Sequence, residues 1–184
     1  MKNWLWLWLI GAPIVCAQDN VITETVEINA TQAEVFQTWT TSAGVKTFFA
    51  PDARVELRVD GPYEIYFNPL AEPGMKGADG MRIIGYQENR MLSFTWNAPP
   101  HLPEARRQRT HVTVRLTAQG ENKTLVSLSH AGWGEGGEWD KAHAYFAKAW
   151  KNVLGNLKKR YETGPIDWSE WLEQLKKYQE SQKR

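Results

Sequence analysis

Apolar and polar positions alternate with a period of two through most of the chain and change to a helical period near its C-terminal end. Val21 to Ala30 carries β-branched residues in partial alternation and reads as a strand. Thr31 stands three residues before Glu34, the spacing of a capping box, and Val35, Phe36 and Trp39 give the helix it opens an apolar stripe. Ser42-Ala43-Gly44 interrupts that helix, Val45, Phe48 and Phe49 mark a second short helical turn, and Pro51 stops it. Arg54 to Asp60 alternates strictly, which places Val55, Leu57 and Val59 on one face and Arg54, Glu56 and Arg58 on the other. After a Gly61-Pro62 turn come strands at Tyr63–Asn68, Met81–Tyr86, Leu92–Trp96, His111–Thr117 and Thr124–His130. Loops rich in Gly and Pro fill residues 69–80 and 97–108. Consecutive strands with short turns predict an antiparallel sheet.

A glycine-rich stretch, Gly132 to Gly137, precedes the one long helical pattern, residues 138–162. Trp139, His143, Phe146, Trp150, Val153, Leu154, Leu157 and Tyr161 recur there at three- and four-residue spacing. Gly164-Pro165 ends it. Asp167 and Glu170 cap a shorter amphipathic extension with Trp168, Leu172, Leu175 and Tyr178 along one side, expected to fold back on the domain. A curved sheet needs an apolar partner for its inner face, and the long helix supplies one.

The N-terminus has a different character. Lys2 precedes an apolar run from Trp4 to Val15, Val15-Cys16-Ala17 forms a small-residue cleavage site, and Gln18-Asp19-Asn20 follows. This is the pattern of a signal peptide, and the run is too short to span a bilayer as a helix. We therefore expect residues 1–17 to be removed after Ala17, a domain at 18–164, an extension at 165–184, and a secreted or periplasmic protein free of the membrane after cleavage. Lipid attachment at Cys16 is disfavoured by Val15. The chain has 22 Lys+Arg against 21 Asp+Glu, so loss of Lys2 leaves a formally neutral domain. That balance gives no general nucleic-acid binder. Cys16 is the one cysteine, so the mature chain has no thiol for catalysis or metal binding.

The order strand, two short helices, about six strands and a long C-terminal helix resembles the START-like superfamily, or SRPBCC, with its helix-grip fold. Within it the chain is similar to the branch named after the activator of heat-shock-protein-90 ATPase homologue. The segments that carry the likeness are Val26-Glu27-Ile28, Ala33-Glu34-Val35-Phe36 with Trp39, Asp60-Gly61-Pro62-Tyr63, Gly85-Tyr86, Leu92-Ser93-Phe94-Thr95-Trp96, the Thr124–His130 strand with Gly132, and Ala149-Trp150 with Leu154 and Leu157. They span about residues 21–162. Ala149 stands where the family often has glycine. The resemblance implies an α+β fold in which a curved antiparallel β-sheet of six to seven strands wraps on the C-terminal helix and leaves a cleft between them.

Such folds host lipid and polyketide binders, enzymes and regulators, so function rests on the side chains. Tyr63, Phe67, Phe94 and Trp96 on strands, with Phe146 and Trp150 on the helix, are candidates to line an apolar pocket; the alternative is a filled core. His130, in phase with Val126 and Leu128, and His143, on the apolar stripe, are candidates to fix one polar group of a ligand or to act as an acid–base pair. Two hydrogen-bonded histidines at a core wall are the other reading. Asp140, His143 and Glu138 do not complete a metal-ligand set. No Gly-x-Ser-x-Gly elbow supports a hydrolase. The stretch Gly132–Gly137 lacks the Lys-Ser/Thr of a phosphate loop and reads as a flexible connection. Arg106, Arg107 and Arg109 read as a solvated basic patch. The leading expectation is an exported protein that binds a small hydrophobic or aromatic molecule between sheet and helix, with no cofactor, no metal and no catalytic residue assigned. A regulatory module with a protein partner is the second expectation, and an enzyme acting on a bound cyclic substrate the third.

Overall fold

The computed structural model describes residues 20–182. The signal peptide expected at residues 1–17 lies outside them. Strand β1 (Ile22–Ile28) leads into α1 (Gln32–Thr40) and α2 (Ser42–Lys46). Then come β2 (Asp52–Val55), β3 (Tyr63–Tyr66), β4 (Ile83–Gln87), β5 (Met91–Trp96), a short α3 (Pro103–Arg106), β6 (Thr110–Ala118) and β7 (Thr124–Ala131). Helix α4 (Glu138–Thr163) and α5 (Ser169–Gln182) complete the order. The strands divide into a five-stranded antiparallel sheet, β1-β7-β6-β5-β4, and a two-stranded one, β2-β3. This is the expected helix-grip α+β architecture, with its seven strands split between two sheets.

Local chemistry explains the element starts. Thr31 Oγ1 accepts the Glu34 backbone N–H at 3.2 Å, and Glu34 Oε2 accepts the Thr31 N–H at 2.9 Å. That reciprocal box opens α1. Register follows the period-two pattern: Ile22, His130, Val112, Phe94 and Ile83 lie in one row across the inner face of the five-stranded sheet. The strands therefore turn their alternate apolar residues into one core shared with α4 and α1.

The strand expected at Arg54–Asp60 ends at Val55. Gly61 N donates to Arg58 O, and Glu56 N to Pro62 O, so residues 56–62 form a tight turn. Asp60 adopts φ 58°, and a Cβ on Gly61 would lie 2.2 Å from Glu56 O. Leu57 and Val59, which share the apolar face of the expected strand, are 36% and 64% exposed. The alternation was real, but β3 offers backbone partners only to residues 52–55.

Two loops expected as plain connections are built into the domain. The Arg106 guanidinium donates to the carbonyls of Gly74 at 2.8 Å, Gly77 at 2.7 Å and Ala98, and lies 3.5 Å from Asp79. It ties residues 69–80 to 97–108, which corrects its reading as part of a solvated patch; burial lowers its pKa. At the start of α4, Glu138 Oε2 accepts the N–H groups of Glu104 and Ala105, at 2.7 and 3.0 Å, and so caps α3. Helix α5 folds back as expected: Trp168 Nε1 donates to Lys46 O, Trp171 Nε1 to Phe67 O and Gln179 Nε2 to Leu70 O. None of its residues is buried.

Candidate functional site

His130 lies on β7 between Ile22 and Val112 in register, and is fully buried. Thr110 is the next inward position past Val112 on β6, hence diagonal to His130, and its Oγ1 lies 2.7 Å from His130 Nε2. From the opposite side Trp150 Nε1 approaches His130 Nδ1 at 2.9 Å. An indole N–H can only donate, so Nδ1 accepts and the imidazole proton resides on Nε2. Nε2–H then donates to Thr110, whose hydroxyl donates to Trp96 O at 3.3 Å. Every ring nitrogen is used. Burial, with smaller contributions from His111 and His143, lowers the His130 pKa to about 3. The imidazole is neutral at any ordinary pH.

Aromatic rings surround this chain of hydrogen bonds. Phe146 lies 5.1 Å from the His130 ring and Trp150 5.7 Å, between centroids. Trp150 meets Trp96 at 5.4 Å, and Tyr63 stacks on Phe94 at 4.2 Å. Phe49 closes the remaining space, at 5.7 Å from Trp96, 5.8 Å from Trp150 and 5.8 Å from Phe67. Tyr63 and Phe94 are fully buried; Trp96 and Trp150 are exposed by no more than 2%. Side chains without accessible surface leave no water-sized space against them, from inside or outside. The cleft expected between sheet and helix is therefore filled. Seven of the eight ring residues expected to line it do come together, as a packed core: Tyr63, Phe67, Phe94, Trp96, His130, Phe146 and Trp150.

His143 stands apart. Its ring packs on Trp133 at 5.2 Å, and its buried Nε2 has no hydrogen-bond partner. It makes no hydrogen bond with His130, so the acid–base pair does not form. Trp133 bridges them, its ring 4.1 Å from that of His130 and its Nε1 donating to His130 O at 3.0 Å. The glycine-rich stretch that carries Trp133 is thus anchored at this residue.

Three contributors escaped the sequence reading. Thr110 is polar at an inward-phase position, two residues before Val112, and that phase was its signal. Phe49 follows Phe48 in a short helical turn, which gives no periodicity to say which ring turns inward. Trp133 lies in a loop with no pattern. Among the described residues no three His, Cys, Asp or Glu side chains are grouped to hold a metal ion. None of the described helices is long and apolar enough to cross a membrane.

Comparison with solved structures gives the same architecture. The Aha1 dimer from Colwellia psychrerythraea matches 78% of this chain and 97% of its own, with TM-score 0.60 and 22% identity. Protein MLL2253 from Mesorhizobium loti matches 78% of this chain and 99% of its own, with TM-score 0.61 and 18% identity. The HSP90 activator PFC0360w from Plasmodium falciparum matches 79% and 97%, with TM-score 0.57 and 16% identity. At such identities the likeness establishes the fold. No curated protein matches the chain by sequence. The model of the family described as Activator of Hsp90 ATPase homolog 1-like protein matches residues 29–162, from the end of β1 through nearly all of α4, and with the helix-grip fold in place the chain belongs to that family.

Proposed function

We propose that this protein is a non-catalytic module that acts by docking on a protein partner, in the manner suggested by its chaperone-activator relatives. The observation that carries this reading is the filled interior. His130 has spent both nitrogens on Trp150 and Thr110, and the rings around it leave no room for a ligand. Recognition then falls to the outer surface. The turn at residues 56–62 offers a candidate. Asp60 N donates to Ile83 O and Ile83 N to Gly61 O, both at 2.9 Å, so the turn is stitched to edge strand β4. Val59 and Ile84 flank these bonds and are 64% and 48% exposed, with Tyr86 two residues further. Exposed apolar side chains held on a rigid turn against the edge strand of a sheet are a usual docking feature.

Native mass spectrometry of protein purified gently from its own host tests this. A protein adduct that is lost in V59D/I84D, with the fold intact by circular dichroism, is expected. A stoichiometric small molecule and no protein adduct overturns it.

A second reading keeps the small hydrophobic ligand. It is favoured by the unpartnered His143 Nε2 beside half-buried Trp133 and is tested by the same spectra. It requires the packed rings to part. The apolar run at residues 4–15 supports export, and N-terminal sequencing of the protein recovered from its host tests cleavage after Ala17.

A further inference from the structure

Helix α4 concentrates charge that the composition conceals. It carries Lys141, Lys148, Lys151, Lys158, Lys159 and Arg160 against Glu138, Asp140 and Glu162, which stand at its two ends, in a chain whose formal net charge is +1. The inner stripe, Phe146, Trp150, Val153, Leu154 and Leu157, is buried on the sheet. The five lysines are all on the exposed side. Lys141, Lys148 and Lys159 follow at intervals of two and three turns, so they fall within about 20° of one line along the helix and span about 27 Å. Lys151 reaches Glu24 at 3.7 Å, and Lys158 reaches Glu162 at 3.8 Å. Among the described residues, Lys141, Lys148 and Lys159 have no acidic partner within 4 Å.

Small residues keep this face low. Ala144 and Ala149 lie among Lys141, Tyr145, Lys148 and Asn152 on this one helix face, which is shallow and open to solvent. Tyr145 stands at its edge, 46% exposed. The face has two ammonium groups and a phenol. That set suits a phosphate headgroup, with the ring and the lysine stems against the glycerol and upper acyl region.

The apolar run at residues 4–15 reads as an export signal, which delivers the domain to a membrane surface.

We infer that the outer face of α4 docks on an anionic phospholipid surface, with Lys141, Lys148 and Lys159 on headgroup phosphates and Tyr145 at the interface.

Sedimentation of the full chain with vesicles tests it. One set is pure phosphatidylcholine; the other contains phosphatidylglycerol at about a third of the lipid. The N-terminal segment, with Lys2, contributes to both and is common to every variant, so the difference between wild type and the α4 variant on the same vesicles reads α4. Wild type should partition at least about tenfold better onto the anionic vesicles. K141E/K148E/K159E should lose that preference, as should wild type at high salt. These side chains are exposed, and an unchanged melting temperature will show that the fold is intact. A control on other surfaces, K123E/K176E/K177E, should keep the preference. Equal partitioning of wild type on both vesicles, an undiminished preference in the α4 variant, or an equal loss in the control overturns the proposal.

Discussion

Trp150 donates its indole N–H to His130 Nδ1 at 2.9 Å in the centre of the core, and this one bond fixes the tautomer of the histidine. It links α4 to the sheet through a polar contact in otherwise apolar surroundings. Trp150→Phe removes the donor and with it three of the nine ring atoms, so a small void adds to the loss. His130 Nδ1 is then buried and unpaired, at a cost of about 1–3 kcal/mol. Thermal unfolding should fall by several degrees. An unchanged melting temperature would mean that the bond contributes nothing net.

Acid should weaken the fold through His130. Its pKa is about 3 when folded, against a reference of 6.5. Between these values the unfolded chain binds a proton that the native state does not, so stability falls as pH drops. The contribution is intact above pH 6.5 and decays towards pH 3, with a limiting slope of about 1.4 kcal/mol per pH unit. Urea unfolding at pH 7.5, 6, 5 and 4 measures it. Glu34 and Asp167, whose pKa values are lowered by hydrogen bonds to Thr31 and Ser169, add their own loss below their reference values of 4.5 and 3.8. Comparison with His130→Gln isolates the histidine, because that variant should lose the slope between pH 6.5 and 5.

A filled core behaves differently from a pocket when a ring is removed. Trp150→Ala should cost about 3–5 kcal/mol and leave a void lined by Phe49, Trp96, His130 and Phe146. Added indole should then raise the melting temperature of the variant and leave wild type unmoved. Stabilisation of wild type by indole would show that an opening exists.

Arg106 holds two loops together, so its loss should appear as local mobility before global unfolding. Its guanidinium serves the carbonyls of Gly74, Gly77 and Ala98, and a lysine ammonium cannot reach all three. Arg106→Lys should expose residues 69–80 and 97–108 to limited proteolysis, with cleavage there as the readout. Protection equal to wild type would make the network dispensable.

Helix α5 lies beyond the family match and buries no side chain. Helix α5 and the residues leading into it are tied to the domain by hydrogen bonds from Trp168, Trp171 and Gln179 to backbone carbonyls, together with Ile166 N to Thr47 O. A chain ending after Pro165 should stay folded and lose only a few degrees of melting temperature. Collapse of the near-ultraviolet dichroism would instead give α5 a place in the core.

Local patterning set most of the elements and their order, the one-turn α3 within the 97–108 loop excepted. Alternation at His111–Thr117 and helical spacing from Trp139 to Tyr161 are local patterns, set by which face each residue must turn to water, and the Thr31–Glu34 box is a contact over three residues. The inward phase of His130 was legible for the same reason. What surrounds it was not. Whether large rings line a space or fill it depends on the distance between sheet and helix, and on Phe49 arriving from another element. Alternation also failed at Leu57 and Val59, because a strand needs a hydrogen-bonded neighbour that pattern cannot supply. Composition gave a near-neutral chain, and only the folded helix gathered its lysines on one face, since net charge is a sum and a surface potential depends on where each charge lies.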